Sequence, residues 1–445
     1  MRCLVRALVL AGVLSSGGAP AQESRTEVGP PVKTTFVNLA GNANAIIVEP
    51  VTPDPKRSRI ALLLTHPEHL NTFNYFIGRE LSKRGYRVMM MNYYGPEQVY
   101  EEFLQPLAAA VKHLRALPGV QKVVLAGHST GGPVLTFYQN VAEKGPAACQ
   151  GSDRVYACHG NKLENLSAAD GIMLIDSNAG AIERLITLDP SVDSRRPRDH
   201  RPELDMFNPR NGFKAETHSG VYSAEFERKF VKTQAARQAK LIELTLARLA
   251  KIEKGEGDYQ DDEPFVIPGS SAHTNSGARL DLADSQLLSK THAPHRLLKA
   301  DGTAPTQIVP STRPPQASPD LMDRLDQTTQ NVTVRYFLSF LAMRTTADYA
   351  ITADRITGVE WRSVGNSVPG NVQGIEVPSL FVSATCAPHL VFTETAYDLS
   401  AAKDKEFIGV EGGDHDFKPC KPEYGDPAKR AFDYVDGWLM KAGRF

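Results

Sequence analysis

The sequence predicts an α/β protein: a mostly parallel sheet flanked by helices, with a large, mainly helical and looped cap inserted before the penultimate core strand. Two observations carry this. Short, continuous apolar runs, suited to strands covered on both faces, alternate with stretches of helical periodicity. The alternation then stops after Asp176 and resumes only at Pro378. Strands alternating with helices give parallel βαβ units. The expected division is 1–21 leader, 22–185 and 370–445 core, and 186–369 cap.

Within 22–59, Thr35, Val37 and Leu39 alternate, followed by Ala45-Ile46-Ile47-Val48, which predicts one or two antiparallel strands. Ile60 to Thr65, IALLLT, reads as a buried strand, and 73–84 as a helix stopped by Gly85. Tyr86 to Asn92 is a second buried strand. Residues 99–116 form a helix with Leu104, Leu107, Ala108, Val111 and Leu114 on one side. Lys122 to Ala126 is a third strand, a helix begins just after Ser129, and Gly171 to Asp176 is a fourth strand.

The cap opens on the polar, Pro-rich stretch 190–220. A long basic helix follows over 223–254, with Phe226, Phe230, Leu241, Leu244, Leu249 and Ile252 inward. Residues 255–320 read as an ordered loop anchored by Phe265-Val266-Ile267 and Leu287-Leu288, and 320–343 as helical. The strand pattern returns at Ser379 to Ala384 and Glu406 to Val410, and a helix from about Pro427 to Met440 closes the chain.

Among 445 residues, Lys+Arg is 50 and Asp+Glu 51, a net charge of -1, so no basic excess points to nucleic acid or an anionic membrane. A hydrophobic share of 41% excludes a wholly disordered chain, and collagen, coiled-coil and multi-span membrane classes do not fit. Arg2 and Arg6 precede a short apolar run from Ala7 to Leu14, and Ala19-Pro20-Ala21 supplies small residues for cleavage. That is a secretory signal, implying a secreted or periplasmic protein. Beyond Cys3, four cysteines remain, and an even number in a secreted chain predicts disulfides. The favoured pairing is Cys149–Cys158, a local loop, with Cys386–Cys420.

Gly127-His128-Ser129-Thr130-Gly131 fits G-x-S-x-G between a buried strand and a helix. That context puts Ser129 on a tight turn, where flanking glycines admit close backbone approach. The Thr130 N–H, at the helix start, faces a reacting carbonyl with the helix dipole behind it.

With the elbow on the page, the chain resembles the α/β-hydrolase superfamily of serine esterases and lipases over roughly 35–185 and 370–445. Leu64-Thr65-His66-Pro67-Glu68 matches the strand end that donates the second oxyanion contact. Pro67 has no N–H, so the donor is expected to be Glu68, with His69 as the alternative. Gly412-Gly413-Asp414-His415-Asp416 matches the loop that carries the catalytic histidine, so the resemblance makes His415 the base that activates Ser129. His389 is its rival.

One departure matters. In PSLFVSATCAPHL, Ala387 stands where the superfamily pattern puts the acid. Asp176, ending the adjacent strand, is the favoured replacement, with Glu394 the alternative and Asp398, Asp414 or no acid at all behind it. A Cys386–Cys420 bridge would tie the loop of the missing acid to the histidine loop.

Phe73, Tyr75, Phe226, Phe337 and Phe340 are expected to line an enclosed pocket, or else to be core. His128, with its side chain expected to point away from the base, joins Phe73 and Tyr75 as a substrate contact. No metal-ligand spacing or nucleotide-binding pattern appears, so no metal and no cofactor are expected. The expected activity is hydrolysis of carboxylic esters, with a small-molecule or lipid-like ester as partner, no nucleic acid and no integral membrane association. The alternatives are a peptidase, lactonase or acyltransferase, or an inactive ligand-binding protein.

Overall fold

The computed structural model describes residues 31–67, 71–93, 99–192, 200–271, 277–318 and 329–445. The 1–21 leader, Glu68 and His69 lie outside them.

Two antiparallel strands, β1 (Val32–Leu39) and β2 (Ala43–Pro50), open the chain. A short helical turn, α1 (Pro55–Ser58), leads into β3 (Ile60–Thr65). Helix α2 (Phe76–Lys83), strand β4 (Arg87–Tyr93), helix α3 (Leu104–Ala116), strand β5 (Lys122–Ser129) and helix α4 (Gly131–Lys144) follow. After the small α5 (Ala147–Gln150) come strand β6 (Gly171–Ser177) and helix α6 (Ala181–Leu185).

The insertion holds a small hairpin, β7 (Phe213–Lys214) and β8 (Ser219–Gly220), and a 30-residue helix, α7 (Ala224–Glu253). Ser223 caps α7 by accepting the Phe226 N–H at 3.1 Å. Strand β9 (Pro264–Pro268) pairs with β12 (Thr329–Thr333). Between them in sequence lie β10 (Lys290–Leu298) and β11 (Thr306–Pro310). A hairpin, β13 (Arg344–Ile351) with β14 (Ile356–Glu360), precedes β15 (Ser379–Ala384), helix Leu390–Leu399, β16 (Lys405–Val410) and the closing helix Pro427–Leu439.

One sheet of ten strands organises the molecule, in the order β1-β2-β4-β3-β5-β6-β15-β16-β10-β11. The pairs from β4 through β10 are parallel, and the β1–β2, β2–β4 and β10–β11 pairs antiparallel. Strand periodicity explains why its centre reads as unbroken apolar runs. Leu62, Val124, Met173 and Leu380 face α2 and the closing helix, while Leu63, Leu125, Leu174 and Phe381 face α3, α4 and the insertion. This is the α/β-hydrolase fold, with the elbow after the central strand β5.

The insertion is not wholly off the sheet, as expected of a 186–369 cap: β10 and β11 extend its edge. Strand β10, KTHAPHRLL, has no apolar run to announce it. Its Pro294 sits at a register shift against β11, a place where a missing N–H is tolerated. The stretch expected to be helical over 320–343 is instead strand β12 followed by helical turns at Val334–Tyr336 and Phe337–Leu341, with 319–328 outside the described residues. Leu244, expected inward on α7, is 50% exposed. Cys149–Cys158 and Cys386–Cys420 are both bonded. Among the described residues, no helix is long and apolar enough to cross a membrane.

Candidate active site

Strand β5 ends at Ser129 and α4 starts at Gly131, leaving a turn of minimal length. Ser129 is held at φ 50°, a left-handed conformation costing a non-glycine residue on the order of 1–3 kcal/mol. The glycines make the turn possible. A Cβ on Gly131 would stand 2.2 Å from the Thr65 carbonyl oxygen, and one on Gly127 2.7 Å from the Gly132 Cα. Thr130 forms the N-cap of α4, and its Oγ1 lies 3.2 Å from Nδ1 of buried His66.

From the far side of the sheet, the loop after β16 brings His415 over the ends of β6 and β15. His415 Nδ1 is 2.6 Å from Asp176 Oδ2. The other oxygen of Asp176 accepts the Ala384 N–H at 2.9 Å, so one fully buried carboxylate joins the histidine to the end of β15.

The other acids are engaged elsewhere. Glu394, the alternative, accepts from the His292 and Ala293 N–H groups and meets His295 Nε2 at 2.9 Å, fastening the helix Leu390–Leu399 to β10. Asp398 faces His292 Nε2 at 3.2 Å. Asp414 Oδ1 accepts the N–H groups of Asp416 and Lys418, shaping the histidine loop itself. That loop is fixed at its base, where Cys386 N–H donates to Gly413, Cys420 N–H to Gly412, and the disulfide joins the two cysteines.

Contrary to the sequence expectation, His128 points toward His415. Its ring stacks on His415 at 4.4 Å between centroids, its Nε2 donates to the His415 carbonyl at 2.8 Å, and its Nδ1 accepts from Tyr75 Oη at 2.5 Å. Burial, with neighbouring His415 second, pushes His128 well below the usual histidine range. A neutral ring is what one donor and one acceptor contact require.

His389, the rival base, meets Glu183 Oε1 through Nδ1 at 3.2 Å, with its ring 5.0 Å from that of His415. Burial opposes charge on His389, but the Glu183 carboxylate outweighs it and raises the imidazole above its ordinary range. Glu183 is also buried, yet His389 and Arg279 hold it down to about 2. Arg279 in turn forks onto Asp281 at 3.0 and 2.7 Å, so this buried cluster is internally paired. Nitrogen and oxygen atoms of Asp176, His389 and His415 lie within 4.8 Å of one another. Each histidine already meets a carboxylate through Nδ1, so two histidine–carboxylate pairs side by side account for the cluster.

Beside the elbow lies a cavity of about 70 Å³. Its wall includes Thr130, Pro67, Asn178, Arg184, Tyr100 and Phe340. Of the residues expected to contact substrate, Phe73, Tyr75 and His128 are not among the described residues of this wall. Phe73 packs edge-on against Phe36, and Tyr75 serves His128. Asn178, directly after β6, and Arg184, on α6, carry no motif in the sequence that marks them. A larger open groove of about 690 Å³ lies at the β16–β10 edge and includes no member of this site.

No protein-family model matches the sequence, and no curated protein matches it. Solved structures similar to this chain include a hypothetical protein from Pseudomonas aeruginosa, at 12% identity over 92% of this chain and 93% of that one, with a TM-score of 0.42. Another is an alpha/beta hydrolase from Penicillium sp. sh18, at 11% identity over 93% and 100%, with a TM-score of 0.42. A third is carboxyl esterase 2 from Tuber melanosporum, at 12% identity over 95% and 92%, with a TM-score of 0.39.

Proposed function

We propose that the protein is a secreted serine hydrolase of carboxylic esters, working through an acyl-enzyme. The observation that carries this is the 2.6 Å contact between His415 and buried Asp176, in a fold that ends its central strand on a strained serine. Ser129 Oγ attacks the ester carbonyl while His415 takes the hydroxyl proton. Asp176 fixes the imidazole through Nδ1 and stabilises the imidazolium. The Thr130 N–H, and an N–H from Glu68 outside the described residues, receive the oxyanion. His415 then protonates the leaving alcohol. Water, deprotonated by the same histidine, cleaves the acyl-enzyme to release the acid.

The disulfides and the leader-like N-terminus support secretion. Residues 186–369 act in this reading as a cap that also completes the sheet edge. A fluorophosphonate probe tests the reading: it labels the wild type and not Ser129→Ala. No labelling of the wild type at neutral pH overturns it.

A further inference from the structure

A chain of buried charges runs from the insertion to the Asp176–His415 pair. Arg313 Nη1 lies 3.5 Å from Asp281, Arg279 forks onto the same carboxylate, and Arg279 Nη1 reaches Glu183 Oε2 at 3.4 Å. The other oxygen of Glu183 meets His389 Nδ1 at 3.2 Å and accepts the Ala179 N–H at 2.6 Å. Every side chain in this chain is less than a tenth exposed. The signs alternate, cation and carboxylate, as far as Glu183. His389 is the next place for a cation, and Asp176 beside it is the next carboxylate.

His389 stands at the N-terminus of the helix Leu390–Leu399, where burial and the helix dipole both oppose a positive charge. The charged groups around it decide the balance. Glu183 on α6 and Asp176 near the end of β6 favour the cation, and Arg279 from the insertion opposes it. The ring of His415, 5.0 Å away, opposes it only when protonated, and His128 near the end of β5 is neutral.

We infer that this chain holds His389 as a cation beside Asp176, and that the cation extends the range in which His415 serves as base toward lower pH. Asp176, His389 and His415 bring nitrogen and oxygen atoms within 4.8 Å of one another, so a charged His389 shares the buried carboxylate with His415. With His415 neutral, His389, Arg279 and Arg313 balance Asp176, Glu183 and Asp281 one for one. A proton on His415 adds a second positive charge to the shared carboxylate, and a like charge at this range disfavours it. His389 is thus a positioning residue that acts through Asp176 and His415. The base role of His415 rests on the ester-hydrolase reading; the charge on His389 does not.

The test has two arms. In the first, the second-order rate of fluorophosphonate labelling is followed against pH in wild type, His389→Gln and Glu183→Gln. The midpoint of the acid limb should move up by about half a pH unit or more in both variants, since either change removes the cation. A merely structural role would lower stability and the plateau rate and leave the midpoint in place. In the second, the imidazole nitrogens of ¹⁵N-histidine-labelled protein are titrated by NMR. His389 should be an imidazolium at pH 7 in wild type, and His415 should titrate at a higher pH in each variant than in wild type. An unmoved or lowered midpoint in a folded variant, or a neutral His389 in wild type at pH 7, overturns the inference. If neither variant folds, the protonation of His389 in wild type decides. A charged His389 and a raised His415 midpoint in a protein that takes no label uphold the inference and count against the hydrolase reading instead.

Discussion

His128 holds His415 by its main chain: Nε2 donates to the His415 carbonyl at 2.8 Å while the two rings stack at 4.4 Å. The catalytic candidate is thus fixed at both ends, its side chain by Asp176 and its backbone by a neutral neighbour. His128→Phe keeps the ring and removes both hydrogen bonds, the one to the His415 carbonyl and the one from Tyr75 Oη. The expected cost is about 1–3 kcal/mol of stability. Turnover should fall more than KM changes, because the histidine and not the substrate is displaced. Urea unfolding and steady-state kinetics check both halves.

Asp176→Asn should leave the fold intact and lower kcat by a factor on the order of 10⁴, the loss seen when a serine protease keeps its geometry but loses the orienting charge. Glu394→Gln should act differently. It loosens the junction with His292 and His295 at the β10 edge, lowering the melting temperature while turnover persists. A crippled Glu394→Gln with normal stability would reverse the assignment.

The centre of the sheet was legible because its strands are buried on both faces, so IALLLT, KVVLA and GIMLID announce themselves without context. Strand β10 was not. It lies near the edge, holds Pro294, and pairs with β16 through only Arg296, Leu297 and Leu298. Ser129 and His415 were readable from local motifs. Asp176 was readable from an absence, Ala387, joined to a neighbouring strand end. Asn178, Arg184 and the Glu183–His389 pair depend on which side chains meet across elements, and no periodicity in one segment encodes that. The packing of Phe73 on Phe36 and of Tyr75 on His128 is hidden for the same reason: aromatic spacing signals burial, not which neighbour is buried against.

Glu183 and His389 predict a stability profile with two limbs. Glu183, held down to about 2 from an ordinary 4.5, contributes stability that is present above the ordinary value and lost as pH falls from 4.5 toward 2. His389, raised above its ordinary 6.5, contributes stability that is full below 6.5 and lost as pH rises through its raised value. The pair should therefore contribute most between about pH 4.5 and 6.5. Melting temperatures measured from acid to alkaline pH should show this plateau in wild type. Glu183→Gln should flatten both limbs and, by leaving Arg279 undercompensated, lower stability throughout, by about 3–5 kcal/mol if the pair behaves as other buried ion pairs.

The two disulfides should differ in consequence. Cys386–Cys420 spans a separation of 34 residues, and Cys149–Cys158 one of 9. Loop-closure entropy alone would make the first worth about 4 kcal/mol and the second about 2.5 kcal/mol. Location separates them further. The first bridge, with the Cys386 and Cys420 N–H bonds to Gly413 and Gly412, clamps the loop that presents His415. The second closes a turn after α4, remote from the elbow. Replacing Cys386 and Cys420 together by serine should lower kcat as well as the melting temperature, and reductant should reproduce the effect in wild type. The Cys149 and Cys158 double serine variant should lose stability while keeping its turnover. Equal loss of activity in both would mean that the bridge acts through global stability and not through the placement of His415.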